Sequence, residues 1–280
     1  MKLRLLAPLL AAGCVAVFSI AVAQSPGPQT SGPQSPATMA PASALKGYLA
    51  PGAAPDTLRI LPPPPAPGSK REAGDREVFA ATRGLAGTPR WSLATEDANL
   101  AQGAAMFSCA VGVTLDAASA PALAALFRRA GMDTPAVTDP PKNHYGRPRP
   151  YSEPGATTAP VCVAKSEGLT KNPSYPSGHA SISWTWGLIL AELAPDRASE
   201  ILGRARSIGE SRVVCGVHYP SDIEAGRTTG AALVAALHGD AAFRADMDKA
   251  RAELAGLRGG VHATPANCAV QDEASIHSPY

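Results

Sequence analysis

From about Ser69 onward, apolar residues recur at the three- and four-residue spacing of buried helix faces. The pattern predicts helices over REVFAATRGLAG (76–87) and through TPRWSLATEDANLAQGAAMFSCAVG (88–112). A further helix covers PALAALFRRAG (121–131), closed by Gly131. A loop-rich stretch, TDPPKNHYGRPRPYSEPGATTAP (138–160), comes next. The periodicity then resumes in SISWTWGLILAELAP (181–195), ASEILGRARSIGESRVVCG (198–216), SDIEAGRTTGAALVAALHG (221–239) and AAFRADMDKARAELAGL (241–257). No repeat and no alternating strand pattern breaks this sequence of elements, so the expected class is all-α. Residues 259–280 read as a loose tail, with Cys268 as its anchor.

The N-terminal residues follow a different pattern. Lys2 and Arg4 precede an apolar run that ends in Ala21-Val22-Ala23, which is the layout of a secretory signal cleaved before Gln24. An uncleaved anchor and a lipidation box at Cys14 are the rival readings, and the apolar run past Cys14 favours ordinary cleavage. Residues 24–45, rich in Pro, Ser, Gln and Gly, cannot pack a core and are expected to be a disordered linker. Residues 46–68 are proline-ruled but carry Leu49, Leu58, Ile60 and Leu61, so an extended arm lying on the domain surface is expected. One helical domain, 46–258, then accounts for the chain.

Charge narrows the function classes. The chain has 25 Lys and Arg against 23 Asp and Glu, and loss of Lys2 and Arg4 leaves an even balance. A broad basic surface for nucleic acid is therefore not expected. No second apolar stretch is long enough to span a bilayer, so no stable membrane insertion is expected once the signal is removed. Cys109, Cys162, Cys215 and Cys268 remain after signal cleavage, an even number in an oxidising setting, and allow three connectivities. No C-x-x-C spacing points to zinc.

Candidate chemistry gathers in three clusters: KNHYGRPRP (142–150), YPSGH (175–179) and SRVVCGVHYPSD (211–222). They offer Lys142, Arg149 and Arg212 as cations, His179 and His218 as imidazoles, and Asp222 as a carboxylate. Three converging cations are costly without an anion between them, and phosphate suits the planar fork of arginine and the point charge of lysine. Ser177 and Gly178 stand where a helix begins, so the helix dipole favours an anion there. Asp222 lies four residues after His218, but Pro220 argues against one continuous helix. The expected arrangement is a corner: one helix ends near His218, and the next sets Asp222 beside the imidazole. His218 then supplies an unprotonated nitrogen as nucleophile, and His179 a general acid. The G-x-S-x-G elbow is absent, so Ser177 is not read as a hydrolase nucleophile.

Lys142, six residues, Arg149-Pro150; Pro176-Ser177-Gly178-His179; and Ser211-Arg212, five residues, His218, three residues, Asp222 together resemble the three-part signature of the type 2 phosphatidic acid phosphatase superfamily. The surrounding residues, with LPPPP and GTPRW upstream, are similar to the class A bacterial non-specific acid phosphatases over about residues 46–255. The resemblance implies a helical bundle of the acid phosphatase/vanadium haloperoxidase type. It implies an exported, periplasmic or secreted enzyme that needs no metal or other cofactor. Its substrates would be small phosphomonoesters of broad range, hydrolysed through a phosphohistidine, with inorganic phosphate as product and a homo-oligomer as the assembly. In that scheme His218 is the nucleophile, Asp222 orients it, and His179 protonates the leaving group. Lys142, Arg149, Arg212, Ser177 and Gly178 hold phosphate. A vanadate-dependent haloperoxidase, a membrane lipid phosphatase and a non-catalytic phosphate binder are the alternatives.

Tyr151 stands where that class leads one to expect Phe, on an expected substrate-facing wall. Arg147 is expected to face water, and His144 to serve at the rim. His238 is expected to cap a helix end, and Trp184 and Trp186 to lie in the core. Cys162 and Cys215 flank the site segments, which favours their pairing and leaves Cys109 with Cys268.

Overall fold

The computed structural model describes residues 46–260, 265–266 and 268–280. The expected signal (1–23) and linker (24–45) lie outside the described residues. Nine α-helices of eight or more residues occur among the described residues, which contain no strand. They are α1 (Lys70–Thr82), α2 (Pro89–Glu96), α3 (Pro121–Met132), α4 (Thr134–Tyr145), α5 (Gly178–Leu193), α6 (Ala198–Val214), α7 (Pro220–Leu237), α8 (Ala241–Gly259) and α9 (Ala269–Ile276).

Alanine and glycine let the central helices approach closely. A Cβ on Gly226 of α7 would lie 2.5 Å from the Ser177 carbonyl at the start of α5, and one on Gly230 would lie 2.5 Å from the Ser181 carbonyl. Those two positions admit nothing larger, so α7 lies almost backbone to backbone on α5. On its other flank α5 packs against α6, and Ile189, Leu190, Ile201, Ile208 and Leu233 fill the fully buried space among the three. Trp186 stacks on Phe127 of α3 and donates Nε1–H to its carbonyl at 2.9 Å. This is the core role expected for Trp186, and Trp184 packs against the same cluster, partly buried.

Three local expectations need correction. The stretch from Thr138 is expected to be loop-rich, yet α4 runs through Pro140 and Pro141 as far as Tyr145. Proline in a helix removes a donor and crowds the preceding turn. Here burial of Val137, Thr138, Pro141 and Lys142 outweighs that cost, and Gly146, in the left-handed region, stops the helix. The helix expected through 88–112 is broken into α2 and a 3₁₀ segment (Leu100–Phe107) kinked at Gly103. The loose tail is in part α9, which packs on α6 and α2 and is joined to Cys109 through Cys268. Cys162 pairs with Cys215, so both favoured pairings occur.

The N-terminal arm is tied down more firmly than expected. Tyr48 is buried, its N–H and that of Leu49 donate to Asp133, and its hydroxyl donates to Asp246. Leu61 is buried as well, while Leu58 and Ile60 remain exposed.

Candidate active site

The corner expected from Pro220 is present. Helix α6 stops at Val214, four residues before His218, and α7 starts at Pro220. Arg83, at the end of α1, closes the C-terminus of α6 by donating from Nη2 to the Val213 and Val214 carbonyls, each at 2.7 Å. Gly216 then turns the chain in the left-handed region, and a Cβ there would run into Arg83. Val217 N–H returns to the Arg212 carbonyl at 3.1 Å, which holds the turn against the last turn of α6. The Cys162–Cys215 disulfide ties this corner to the loop that follows Arg149. At the other end, Asp222 accepts the Tyr219 N–H at 2.8 Å and so caps α7.

His218 is buried between two chemically different sides. Its Nδ1 lies 3.3 Å from Asp222 Oδ2, and its Nε2 lies 3.0 Å from Arg149 Nη1. A guanidinium only donates, so Nε2 must be the acceptor nitrogen and Nδ1 must carry the proton. The tautomer with a lone pair on Nε2 is thereby selected. Arg149 is itself held by the Leu169 and Asn172 carbonyls through Nε, at 2.8 and 2.9 Å, and by the Val217 carbonyl at 3.0 Å.

Lys142, from the last turn of α4, is buried, and its Nζ donates to the Pro173 carbonyl. Burial, reinforced by the nearby Arg149 charge, brings its pKa down to about 8. Arg212 is also buried, and its Nε and Nη1 have no hydrogen-bond partner among the described residues. Desolvation, followed by the charge of Arg149, lowers its pKa to about 10. Burial first, then the charges of Arg149, Lys142 and Arg212, hold His218 well below the usual histidine range. His179 is depressed in the same way by burial, then by Arg212, with smaller effects of His218 and Arg149. His218 thus feels the charges of all three cations, and His179 those of Arg212 and Arg149.

Ser177 is the N-cap of α5: its Oγ accepts Ala180 N–H at 3.3 Å, and its own N–H is spent on the Asp222 carbonyl at 2.9 Å. The Ser177 amide is therefore committed and not available to an anion. Gly178 and His179 are the first two residues of α5, whose N–H groups have no carbonyl a turn earlier. His179 Nε2 lies 3.1 Å from the Ala98 carbonyl, which only accepts, so Nε2 carries the proton.

Two further residues join the site that the sequence reading did not place there. Arg147, expected to face water, is buried; Nη1 donates to Asp222 Oδ1 at 2.6 Å and to Ser221 Oγ at 2.7 Å, and Nη2 to Asp75 Oδ2 at 2.8 Å. Its guanidinium lies over the Tyr219 ring, 4.3 Å from the centroid. Asp75, on α1, also accepts the Ser221 N–H at 3.1 Å. The signal for Asp75 was its phase: it lies four residues before Phe79 and seven before Thr82 on the buried stripe of α1. Tyr151 lies close enough to Arg149 to act on its charge. It is buried with Ala94, Val214, Cys215 and Val217, and its hydroxyl lies 3.1 Å from Thr170 Oγ1. His144 is exposed, and His238 is the C-cap of α7.

The family description of the PAP2 superfamily matches residues 118–244. The acid phosphatase of Zymomonas mobilis subsp. mobilis is 46% identical over 210 residues, which are 74% of this chain and 78% of that protein. A non-specific acid phosphatase of Providencia stuartii is 38% identical over 215 residues, 75% of this chain and 86% of its own length. One from Salmonella typhimurium is 34% identical over 211 residues, 74% of this chain and 83% of its own. No helix among the described residues is long and apolar enough to cross a membrane.

Proposed function

The chain belongs to the PAP2 superfamily and, within it, to the acid phosphatases, and from that premise we propose that it is exported and hydrolyses a broad range of phosphomonoesters through a phosphohistidine on His218. The observation that carries the reading is the buried edge of Arg212, without a hydrogen-bond partner among the described residues, beside Lys142, Arg149 and an imidazole whose Nε2 lone pair faces the Arg149 guanidinium. Burying an unpaired charge is expensive, and a phosphoryl dianion bound there offsets the cost.

In this reading Lys142, Arg149, Arg212 and the first turn of α5 hold the phosphoryl oxygens. The Nε2 lone pair of His218 forms a bond to phosphorus as the ester P–O bond breaks. Nδ1–H stays on Asp222, which stabilises the positive charge that develops on the ring. His179, protonated once the anion is bound, gives its proton to the leaving alkoxide. Water then attacks phosphorus, passes a proton to His179 and breaks the P–N bond, releasing phosphate and the original imidazole.

The depressed histidines set the pH dependence. His218 stays neutral, hence nucleophilic, well into acid. His179 in the free enzyme takes up its proton only below the ordinary histidine range. Both effects put the optimum of kcat/KM on the acidic side of about 6.5. Turnover of p-nitrophenyl phosphate across that range, with and without a chelator, should peak in acid and ignore the chelator. Rapid denaturation in alkali, which spares the P–N bond, should trap label from the phosphoryl group on His218. Turnover that survives His218→Ala would overturn the mechanism, and N-terminal sequencing of exported protein should begin at Gln24.

A further inference from the structure

We infer that Arg147 is a positioning residue for the nucleophile, clamped between Asp75 and Asp222 so that the Asp222 carboxylate is presented to His218 Nδ1. The inference rests on the phosphohistidine reading and extends it to a residue outside the three-part signature.

The geometry assigns the roles. Asp222 is fully buried; Arg147 Nη1 donates to Oδ1, Tyr219 N–H and His218 Nδ1–H approach Oδ2, and the Ser174 hydroxyl also favours its charged form. The first two, at 2.6 and 2.8 Å, are short. The histidine contact, at 3.3 Å, is longer than either. The strong donors therefore place the carboxylate, and the imidazole adjusts to it. Arg147 in turn cannot swing away. Asp75 holds its other nitrogen, Ser221 Oγ shares Nη1, and Tyr219 covers its face. Asp75 also accepts from the Ser221 backbone and hydroxyl, so the start of α7 and the guanidinium are registered by one carboxylate.

Arg147 also maintains the charge that the mechanism needs. Burial pushes the Asp222 carboxyl up, and the nearest opposing influence is Arg147, followed by the Tyr219 N–H. The other groups facing it are His218 from the corner, Lys142 at the end of α4, Arg149 beyond that helix, and the Tyr175 phenol. Asp75 faces it through Arg147. The neighbouring cations belong to the phosphate side and are neutralised when substrate binds, whereas Arg147 stays paired with Asp222 throughout. Without Arg147 the carboxyl takes up a proton at a higher pH, and a protonated Asp222 no longer accepts Nδ1–H in the required tautomer. The acid limb of kcat then moves to higher pH.

The test compares the full-length mature protein with Arg147→Met, Arg147→Lys, Asp222→Asn and the double variant Arg147→Met/Asp222→Asn, by pH profiles on p-nitrophenyl phosphate. Arg147→Met should lower kcat roughly 10- to 100-fold, the scale on which outer-layer orienting groups act. KM should change little, and the acid limb should move up in pH. Arg147→Lys should recover part of kcat and part of the pH shift, since one ammonium replaces a two-ended fork. The double variant should be no slower than Asp222→Asn alone, because Arg147 acts through Asp222. A merely structural arginine would give multiplicative losses in the double variant and an unmoved acid limb, which overturns the inference. Should Arg147→Met not fold, Arg147→Lys and Asp75→Asn carry the same test: a raised acid limb supports the inference, and an unmoved one ends it. Failure of the phosphohistidine reading would look different, as an inactive wild type or an active His218→Ala variant.

Discussion

On the Nδ1 side of His218, Asp75, Arg147, Ser221 and Asp222 all have hydrogen-bond partners within the protein. On the Nε2 side, Arg212 keeps two buried nitrogens, Nε and Nη1, unpartnered beside Lys142 and Arg149, and none of the three cations is paired with a carboxylate among the described residues. The same imidazole thus separates a saturated network from an unsaturated one. A buried pair that is complete holds geometry, while a buried cation that is incomplete stores affinity for an anion. In the proposed mechanism this difference makes the unsaturated Nε2 side the face that meets substrate.

The comparison breaks most sharply at Arg212. Arg212→Met should cut kcat/KM on p-nitrophenyl phosphate roughly 100- to 1,000-fold, as loss of a preorganised donor to developing charge does. Wild-type activity in that variant would mean that the unpartnered cation is not part of the anion site.

Stability should respond with opposite signs on the two sides. Removing the lone Arg212 charge should raise the ligand-free unfolding free energy, on the order of 1–4 kcal/mol. Removing Arg147 strands two buried carboxylates and should lower it by about 3–5 kcal/mol. Denaturant melts of both variants without phosphate check this. Equal and same-signed changes would erase the distinction.

The smallest effect concerns Lys142. Its pKa of about 8 means that it is charged below and neutral above that pH in the free enzyme. The affinity for inorganic phosphate, measured by calorimetry, should weaken as pH rises through 8, by roughly tenfold. Lys142→Met should bind more weakly throughout and lack that step.

Much of this molecule was legible in its sequence. The helical periodicity in 181–195, 198–216, 221–239 and 241–257 appears as α5 to α8, and Pro220 does make the corner that sets His218 against Asp222. What escaped detection has a common cause. Arg147 reads as a solvated loop arginine because no carboxylate lies near it along the chain; its partners are Asp75 and Asp222, 72 and 75 residues away. The Asp222 carbonyl takes the Ser177 N–H, which no local pattern announces. α4 passes through Pro140-Pro141 because its buried face offsets a local cost that the sequence shows more clearly than the gain.

Periodicity, capping residues and the three clusters are properties of neighbouring residues, so the sequence by itself determined the helical class and which side chains the proposed mechanism draws on. Pairing and burial depend on segments that meet only after α1, α4, α6 and α7 pack. The tertiary structure alone therefore decided which nitrogen of His218 keeps its lone pair, which arginine secures the carboxylate behind it, and which arginine, among the described residues, keeps unpartnered nitrogens in front.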